Sequence, residues 1–261
     1  MKISINIKAN NFTADTKEEM WNIYKKYYNS NKEDFMKRIE TNNQFAIYKH
    51  KGTIVGFTGM KINRTKIDGK NKMLIYFGQT VIGKKFRGNA LLPITALKVC
   101  LKYFKTFVSS DIYIWYDALT YKSYLISAKT TAVCYPSRKQ QTPNSIKKLI
   151  NYIGQKHYQE SFCEELGTVA KSKIFVSDPS VRIGNNEPTD ADIRFFMKAN
   201  PNYKKGHGLI TLTPMSTKNV MALVKRYRTK VSKNIVQQGT QLTQSLHFQL
   251  VKFNNLLSPS F

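Results

Sequence analysis

The chain has 261 residues, 41% of them apolar and 12% aromatic, so it can bury the core of one large domain or two small ones and is not mainly disordered. Its 13 glycines, 8 prolines and 3 cysteines exclude collagen-like and disulfide-scaffold proteins. The 42 Lys and Arg residues against 16 Asp and Glu give a formal net charge of +26, which favours a polyanion or a phosphorylated cofactor as partner; a merely soluble basic surface is the alternative.

Hydrophobic periodicity predicts the elements of the first part of the chain. Alternation of polar and apolar residues predicts strands at 2–8, 44–50, 53–62 and 72–82. Helical spacing predicts one helix capped by Thr16 and a second helix over 33–40. A basic, glycine-bearing loop at 83–90 then leads into an apolar helix at 91–104.

The remaining elements continue this alternation of helices and strands. The pattern predicts, in order, a strand at 111–116, a helix at 119–128, a short strand at 132–135, a helix at 145–158, a strand at 173–177, a helix at 190–198, a strand at 209–212 and a long helix from about Ser216. This order predicts an α+β fold with a mixed, mostly antiparallel central sheet flanked by helices and an α/β C-terminal extension. We expect a domain of residues 1–177 and a basic extension of residues 178–261 that could pack on it.

Cysteines and apolar runs bear on the compartment. The three cysteines, Cys100, Cys134 and Cys163, lack the spacing of a zinc site and are odd in number, so neither a metal nor a disulfide framework is expected. The first residues lack the apolar core of a signal peptide, and no apolar run reaches the roughly 18–20 residues that span a bilayer. We therefore expect a cytoplasmic protein without a transmembrane segment, and leave a late export step open.

The loop at 83–90 has the composition of a phosphate site. The first N–H groups of a helix lack partners and carry partial positive charge, and this loop opens a helix. Gly88 lets a backbone approach an anion closely, and Lys84, Lys85 and Arg87 add positive charge. An ordinary strand-to-helix turn with solvated lysines is the alternative.

Together with the order of elements, this loop resembles that of the GCN5-related N-acetyltransferase (GNAT) superfamily. The family pattern Gln/Arg-x-x-Gly-x-Gly/Ala is matched by residues 85–90, with Lys85 at the first place. The preceding pattern Val-x-Pro-x-Tyr-Arg-Gly is matched by residues 82–88, with Lys84 in place of Pro. The resemblance covers about residues 1–135, and at the widest reaches 177.

The resemblance implies that acetyl-CoA, or another acyl-CoA, is the co-substrate and lies in a gap beside the fourth strand. Its pantetheine arm would pair with the backbone of Thr80, Val81 and Ile82. Its pyrophosphate would bind the N–H groups of Lys85, Phe86, Arg87, Gly88, Asn89 and Ala90. The chain would then be an acyl-CoA-dependent N-acyltransferase, most simply an acetyltransferase, acting on an unidentified and potentially polyanionic amine without a metal.

Transfer to an amine requires a neutral amine and a protonated leaving thiol. In the family, a tyrosine on the helix after the fifth strand often serves as the acid, which implies Tyr124, with Ser123 as a second donor and Tyr121 next. Tyr124 could equally be a core aromatic. Asp117 stands near the place of the family's usual Asn, and could orient the amine or only cap the helix.

The last part of the chain is basic. Residues 193–261 hold 11 Lys and Arg and no Asp or Glu. A predicted helix combines an apolar stripe with the cations Lys225, Arg226, Arg228, Lys230 and Lys233. Such a helix favours RNA as the partner, with a membrane surface second, and a surface helix with solvated lysines is the alternative. The loop at 200–208 contains His207, which could be a base or have no role.

Two other functions stay open at this point. One is a GNAT-like protein that has lost turnover and binds nucleic acid. The other is a transferase for longer acyl chains, which needs an apolar tunnel beside the strand at 72–82. Gly88 and Ala90 are both retained in the loop, and this favours the enzyme.

Overall fold

The computed structural model describes residues 2–171, 175–176, 178–184 and 188–234. Its strands are Ser4–Ala9 (β1), Tyr28–Asn29 (β2), Gln44–His50 (β3), Thr53–Ile67 (β4), Lys70–Ile82 (β5), Asp111–Ala118 (β6), Phe162–Cys163 (β7), Thr168–Ala170 (β8), Phe175–Val176 (β9) and His207–Pro214 (β10). Its α-helices are Ala14–Tyr24 (α1), Lys32–Thr41 (α2), Leu91–Lys102 (α3), Tyr121–Thr130 (α4), Asn144–Tyr158 (α5), Ala191–Ala199 (α6) and Thr217–Asn234 (α7).

Eight of these strands form one sheet, in the order β1-β3-β4-β5-β6-β10-β8-β7. Neighbouring strands are antiparallel except β5 and β6, which run parallel from the pair Lys72 and Asp111 to the pair Tyr76 and Trp115. Beyond that pair, β5 continues on β4 while β6 continues on β10. A gap therefore opens between the second halves of β5 and β6, in the mixed, mostly antiparallel sheet that the sequence predicted.

Helices cover both faces of the sheet. Successive residues of a strand point to opposite faces, so the packing of their side chains identifies each face. Ala46, Met73 and Ile75 pack with α3 and α7, on what we call the α3 face. Phe45 and Leu74 point the other way, to the side covered by α1, α2 and α5, which we call the α5 face. The gap between β5 and β6 is an opening in the sheet between these two faces.

The C-terminal part shares this sheet. β10 lies between β6 and β8 and pairs with β6 over residues 209–214. Helix α7 packs against α3 through Val220, Leu223 and Val224. Within the described residues, no helix is long and apolar enough to cross a bilayer.

Two local predictions differ from the structure, and three short strands were not predicted. The cap of α1 is Thr13, whose Oγ1 accepts from the N–H of Thr16 at 3.3 Å, so Thr16 is in the helix and not its cap. The predicted strand at 132–135 is a single bridge between Tyr135 and Leu212. The strands that were not predicted are β2, β7 and β8, which have only two or three residues each and so show no periodicity.

Candidate active site

The gap between β5 and β6 begins after the pair Tyr76 and Trp115. A bulge bends β5 at this point: its register with β4 shifts, and Gln79 adopts a left-handed φ of +45°. The bulge lies on the stretch of β5 that no longer pairs with β6. The resemblance implies that the pantetheine arm would lie along this edge.

The backbone of β5 along the gap is already partly occupied by side chains. The backbone N–H and C=O of Val81 point towards β4. Since these groups alternate along a strand, the carbonyls of Thr80 and Ile82 point into the gap. The Thr80 carbonyl accepts from the hydroxyl of Tyr28 at 2.8 Å, and the Ile82 carbonyl from Arg87 Nε at 3.0 Å. A pantetheine amide that paired with these carbonyls would share or displace the two donors.

The loop after β5 leaves the start of α3 open. It makes a short 3-10 turn at Lys84–Phe86 and then takes two left-handed residues, Gly88 at φ +81° and Ala90 at φ +55°. In the described chain no side chain caps α3, and a Cβ on Gly88 would meet nothing within 4 Å. Lys84 and Lys85 are exposed beside it. The loop thus combines an uncapped helix start, open space and positive charge. Together these features favour the binding of an anion.

Two further loop residues hold the loop in shape. The side-chain amide of Asn89 donates to the Phe86 carbonyl at 2.9 Å. The Phe86 ring packs at the edge of the core on the α3 face, with its centroid 5.5 Å from that of His50. The roles of Phe86 and Asn89 visible in the fold are therefore to position the loop.

Arg87 has a partner that the sequence did not predict. Its guanidinium forms an ion pair with Asp178 and lies 4.6 Å from the centroid of the Tyr27 ring. Partial burial opposes ionisation of Asp178, but hydrogen bonds from Arg87 and Ser180 lower its pKa to about 2. Asp178 therefore stays ionised and neutralises the cation expected to face a pyrophosphate.

Asp117 is the centre of a polar cluster at the gap. It points to the α5 face, as Trp115 does, and its side chain is 9% exposed. The Tyr76 hydroxyl donates to Oδ1 at 3.0 Å, and the Tyr158 hydroxyl to Oδ2 at 3.1 Å. The ammonium of Lys171 forms an ion pair with Oδ2 and lies 4.7 Å from the centroid of the Tyr158 ring. A carboxylate, two phenols and an amine thus meet where β5 and β6 part.

The two phenols are held as hydrogen-bond donors. Burial, followed by the charge of Asp117, raises the pKa of Tyr76 and of Tyr158 well above the usual value. The Tyr76 ring lies against the backbone of β5 at Gly78. The contact is so close that a Cβ added to Gly78 would come within 2.1 Å of the ring. A glycine at position 78 is therefore needed for Tyr76 to reach Asp117.

Tyr124, the acid implied by the resemblance, lies on the other face of the sheet. It packs against Ala118 and Leu209, and since Ala118 follows Asp117 on β6, the two side chains point to opposite sides. Tyr124 is 0% exposed, and its hydroxyl donates to the Pro136 carbonyl at 3.2 Å. Burial raises the pKa of Tyr124. The structure does not bring Tyr124 and Asp117 together, and the role of Tyr124 stays a prediction.

No hydrogen bond among the described residues joins Ser123 or His207 to Asp117. Ser123 is in the first turn of α4, with its Oγ 3.0 Å from that of Thr120, and its carbonyl accepts from the Tyr116 hydroxyl at 3.2 Å. His207 begins β10 and pairs with Ala170. In these contacts both residues serve the local structure.

Sequence reasoning missed Tyr76, Tyr158 and Lys171. The sequence marks these residues in one way: each is a polar side chain at a position that strand or helix periodicity places towards the core. Trp115 lies in the same region and supplies a buried donor: its Nε1 has no hydrogen-bond partner among the described residues. The ring of His157 lies tilted beside that of Trp115, with 5.2 Å between the centroids, and burial, with Lys61 and Lys156, lowers the pKa of His157 to about 4.

Other parts of the described surface offer less chemistry. A cavity of about 520 Å³ lies at the other end of β5, lined by residues that include Arg64, Lys72 and Ser110. No three His, Cys, Asp or Glu side chains among the described residues are placed to hold a metal ion. The gap remains the site where a charged loop and a titratable cluster flank one opening.

Comparisons with known proteins give the following likenesses. No protein-family model and no curated protein matches the sequence. A GNAT family acetyltransferase of Staphylococcus aureus is 19% identical over 44% of this chain and 84% of its own, with a TM-score of 0.30. A GNAT family N-acetyltransferase of Escherichia coli, solved with CoA, is 7% identical over 49% of this chain and 69% of its own, with a TM-score of 0.34. A conserved protein of Enterococcus faecalis is 12% identical over 46% of this chain, with a TM-score of 0.36, and the match spans only 31% of its length.

Proposed function

We propose that the chain is an acyl-CoA-dependent N-acyltransferase of the GNAT type that transfers an acyl group, most simply acetyl, to an amine. One observation carries the proposal: the gap between β5 and β6 has the uncapped, basic start of α3 at one end and the Asp117 cluster at the other. The first suits the phosphates of CoA, and the second suits an amine.

The residues at the gap fit an acyl-CoA. The open space over Gly88 and the N–H groups at the start of α3 would hold the pyrophosphate, and the edge of β5 at Thr80 and Ile82 would hold the pantetheine arm. The orphaned Nε1 of Trp115 supplies a further donor in this region. When bound, acyl-CoA supplies an activated thioester carbonyl.

Asp117 is placed to act on the acceptor. Its carboxylate can hold an ammonium group and take a proton from it, and the two phenols fix its orientation. Tyr76 is the phenol that reaches across the gap, so it is placed to give a proton to a leaving group there. Tyr124, on the other face, is the second candidate for this acid.

Calorimetry and a thiol-release assay test the proposal. We expect the chain to bind CoA and to release it from acetyl-CoA in the presence of an amine. Asp117→Asn should lower turnover about 100- to 10,000-fold, the usual contribution of acid–base catalysis, and leave the CoA affinity nearly unchanged. Asp111→Asn, at the closed end of the same strand, is the matched control. Failure of the wild type to bind any acyl-CoA would contradict the proposal.

The acyl chain length is decided by the same assay. Turnover of octanoyl-CoA in preference to acetyl-CoA would favour a transferase for longer chains. Binding of nucleic acid without any binding of CoA would favour the GNAT-like protein that has lost its activity.

A polyanionic acceptor or docking surface is the second part of this proposal. Val220, Leu223 and Val224 bury the apolar side of α7, while Arg226 and Arg228 are exposed on the other side. This arrangement supports a basic surface beside the enzyme. The side chains of Lys230 and Lys233, and the whole of 235–261, lie outside the described residues.

The salt dependence of binding tests this second part. Each phosphate contact should lower log K by about 0.7–0.9 per decade of salt. Replacing Lys225, Arg226 and Arg228 by Gln should weaken RNA binding and flatten this slope, whereas Lys147→Gln and Lys148→Gln on α5 should leave both unchanged. Absence of RNA binding by the wild type at low salt would contradict it.

A further inference from the structure

The Asp117 cluster already contains an amine of the chain itself. Lys171 directly follows β8, and its side chain reaches past β10 to form the ion pair with Asp117 on β6. Its side chain is only 17% exposed. The ammonium is therefore held inside the fold, next to the opening between β5 and β6.

The surroundings of this ammonium are those of a primary-amine binding site. A carboxylate, a ring face and a fixed geometry together recognise a compact cation. Asp117 supplies the carboxylate, the Tyr158 ring lies 4.7 Å below the nitrogen, and the phenols of Tyr76 and Tyr158 lock the carboxylate in place. Tyr76 belongs to β5 and Asp117 to β6, the two strands that flank the gap. The Asp117 carboxylate therefore lies between the nitrogen of Lys171 and the gap.

Stability alone does not account for this arrangement. Removing a lysine and a carboxylate from water costs about as much as their attraction returns, so a buried ion pair adds little to folding. Clusters of buried titratable groups in clefts are instead typical of functional sites.

We propose that Lys171 is an acceptor of this enzyme, so that the chain acylates its own ε-amine. This inference rests on the proposed function, since acyl-CoA is the donor. It adds a modification site and identifies the accepted group as the primary amine of an aliphatic chain.

The step balances within the cluster. Asp117 takes one proton from the ammonium of Lys171, and Nζ forms a bond to the thioester carbonyl carbon as the carbon–sulfur bond breaks. Of the two protons that the ammonium loses on becoming an amide, one ends on the released thiol and the other passes to solvent. The amide carries no charge, so the ion pair is lost and Asp117 becomes available to an external amine.

The same strand pair provides a matched control. Lys72 forms an ion pair with Asp111 on β6 at 3.1 Å, is 12% exposed, and lies 5.4 Å from the centroid of the Tyr113 ring. This arrangement resembles that of Lys171 but sits where β5 and β6 are still paired, and its carboxylate is more open, since the side chain of Asp111 is 53% exposed against 9% for Asp117. A chemical reaction that depends only on a buried, ion-paired lysine would label both residues equally.

The experiment incubates the full chain with acetyl-CoA and, separately, octanoyl-CoA, and locates acyl groups by peptide mass spectrometry. We expect Lys171 to be labelled at least tenfold faster than Lys72, at a rate per chain independent of protein concentration. Asp117→Asn should slow labelling about 100-fold or more while CoA affinity is retained. Tyr158→Phe, which removes one hydrogen bond to Asp117 and keeps the ring, should slow it by a smaller factor.

Different results overturn different parts. If the chain binds CoA and acylates added amines while Lys171 stays unlabelled, the self-acylation is wrong and the proposed function stands. Equal labelling of Lys171 and Lys72 also overturns the inference. If no acyl-CoA binds, both proposals fail.

Discussion

The hydroxyl of Tyr76 on β5 donates to Oδ1 of Asp117 on β6 at 3.0 Å, just past the last pair at which the two strands are joined. This contact spans the opening of the gap on the α5 face. It links the strand that would carry the donor arm to the carboxylate that would hold the acceptor.

Two phenols on opposite faces of the sheet, those of Tyr76 and Tyr124, are the candidates for the general acid. The family resemblance predicts that Tyr124→Phe lowers turnover, but the position of Tyr76 leads us to expect the larger loss for Tyr76→Phe, on the order of 100-fold. We expect Tyr124→Phe to cost about 1 kcal/mol of stability through its bond to Pro136, with turnover changed less than about threefold. Steady-state kinetics and CoA calorimetry on both variants measure this, and a larger loss at Tyr124 would reverse the assignment.

The proposed phosphate site can be tested at Gly88. Gly88→Glu should abolish CoA binding, because it places negative charge and a strained left-handed residue at the open start of α3. Gly52→Glu is the control: Gly52 has φ of +85°, with open space around it, in the turn between β3 and β4. It should show the same backbone strain and keep CoA affinity. Equal affinity losses in both variants would mean that strain, and not the site, is responsible.

We expect Asp178 to compete with a phosphate of CoA for Arg87. We expect Asp178→Asn to strengthen CoA binding about two- to fivefold, which corresponds to the free energy of a partly exposed ion pair. Asp111→Asn, which breaks an ion pair far from the loop, should leave the affinity unchanged. Unchanged affinity after Asp178→Asn would show that Arg87 serves only to hold Ile82 and the segment around Asp178.

His157 should make the fold sensitive to mild acid. Burial, with the nearby lysines, lowers its pKa to about 4, below the ordinary value of 6.5 that applies when the chain is unfolded. Between these two pH values the unfolded chain binds a proton that the folded chain does not, so stability falls as pH decreases from about 6.5 to about 4. His157→Gln should flatten this part of a urea-midpoint profile, and an unchanged slope would assign the effect to other groups.

The sequence alone determined the features that depend on neighbours along the chain. The helix predicted over 33–40 and the strands predicted at 44–50 and 53–62 are α2, β3 and β4, and Asn31 caps α2 by accepting from the N–H of Asp34 at 2.7 Å. The basic loop at the start of α3 was likewise predicted, since its charge and glycines lie within eight consecutive residues. Such features are set by local backbone geometry and hydrogen bonding, which a short window of sequence contains.

Only the tertiary structure decided which groups meet at the gap. Tyr76 and Asp117 are 41 residues apart, and Arg87 and Asp178 are 91 apart. Their contacts follow from the order of strands in the sheet, from the point at which β5 and β6 stop pairing, and from the glycine at position 78 that lets the Tyr76 ring lie on the strand. Long-range pairing of this kind leaves no periodic signal, because each partner occupies an ordinary position in its own element.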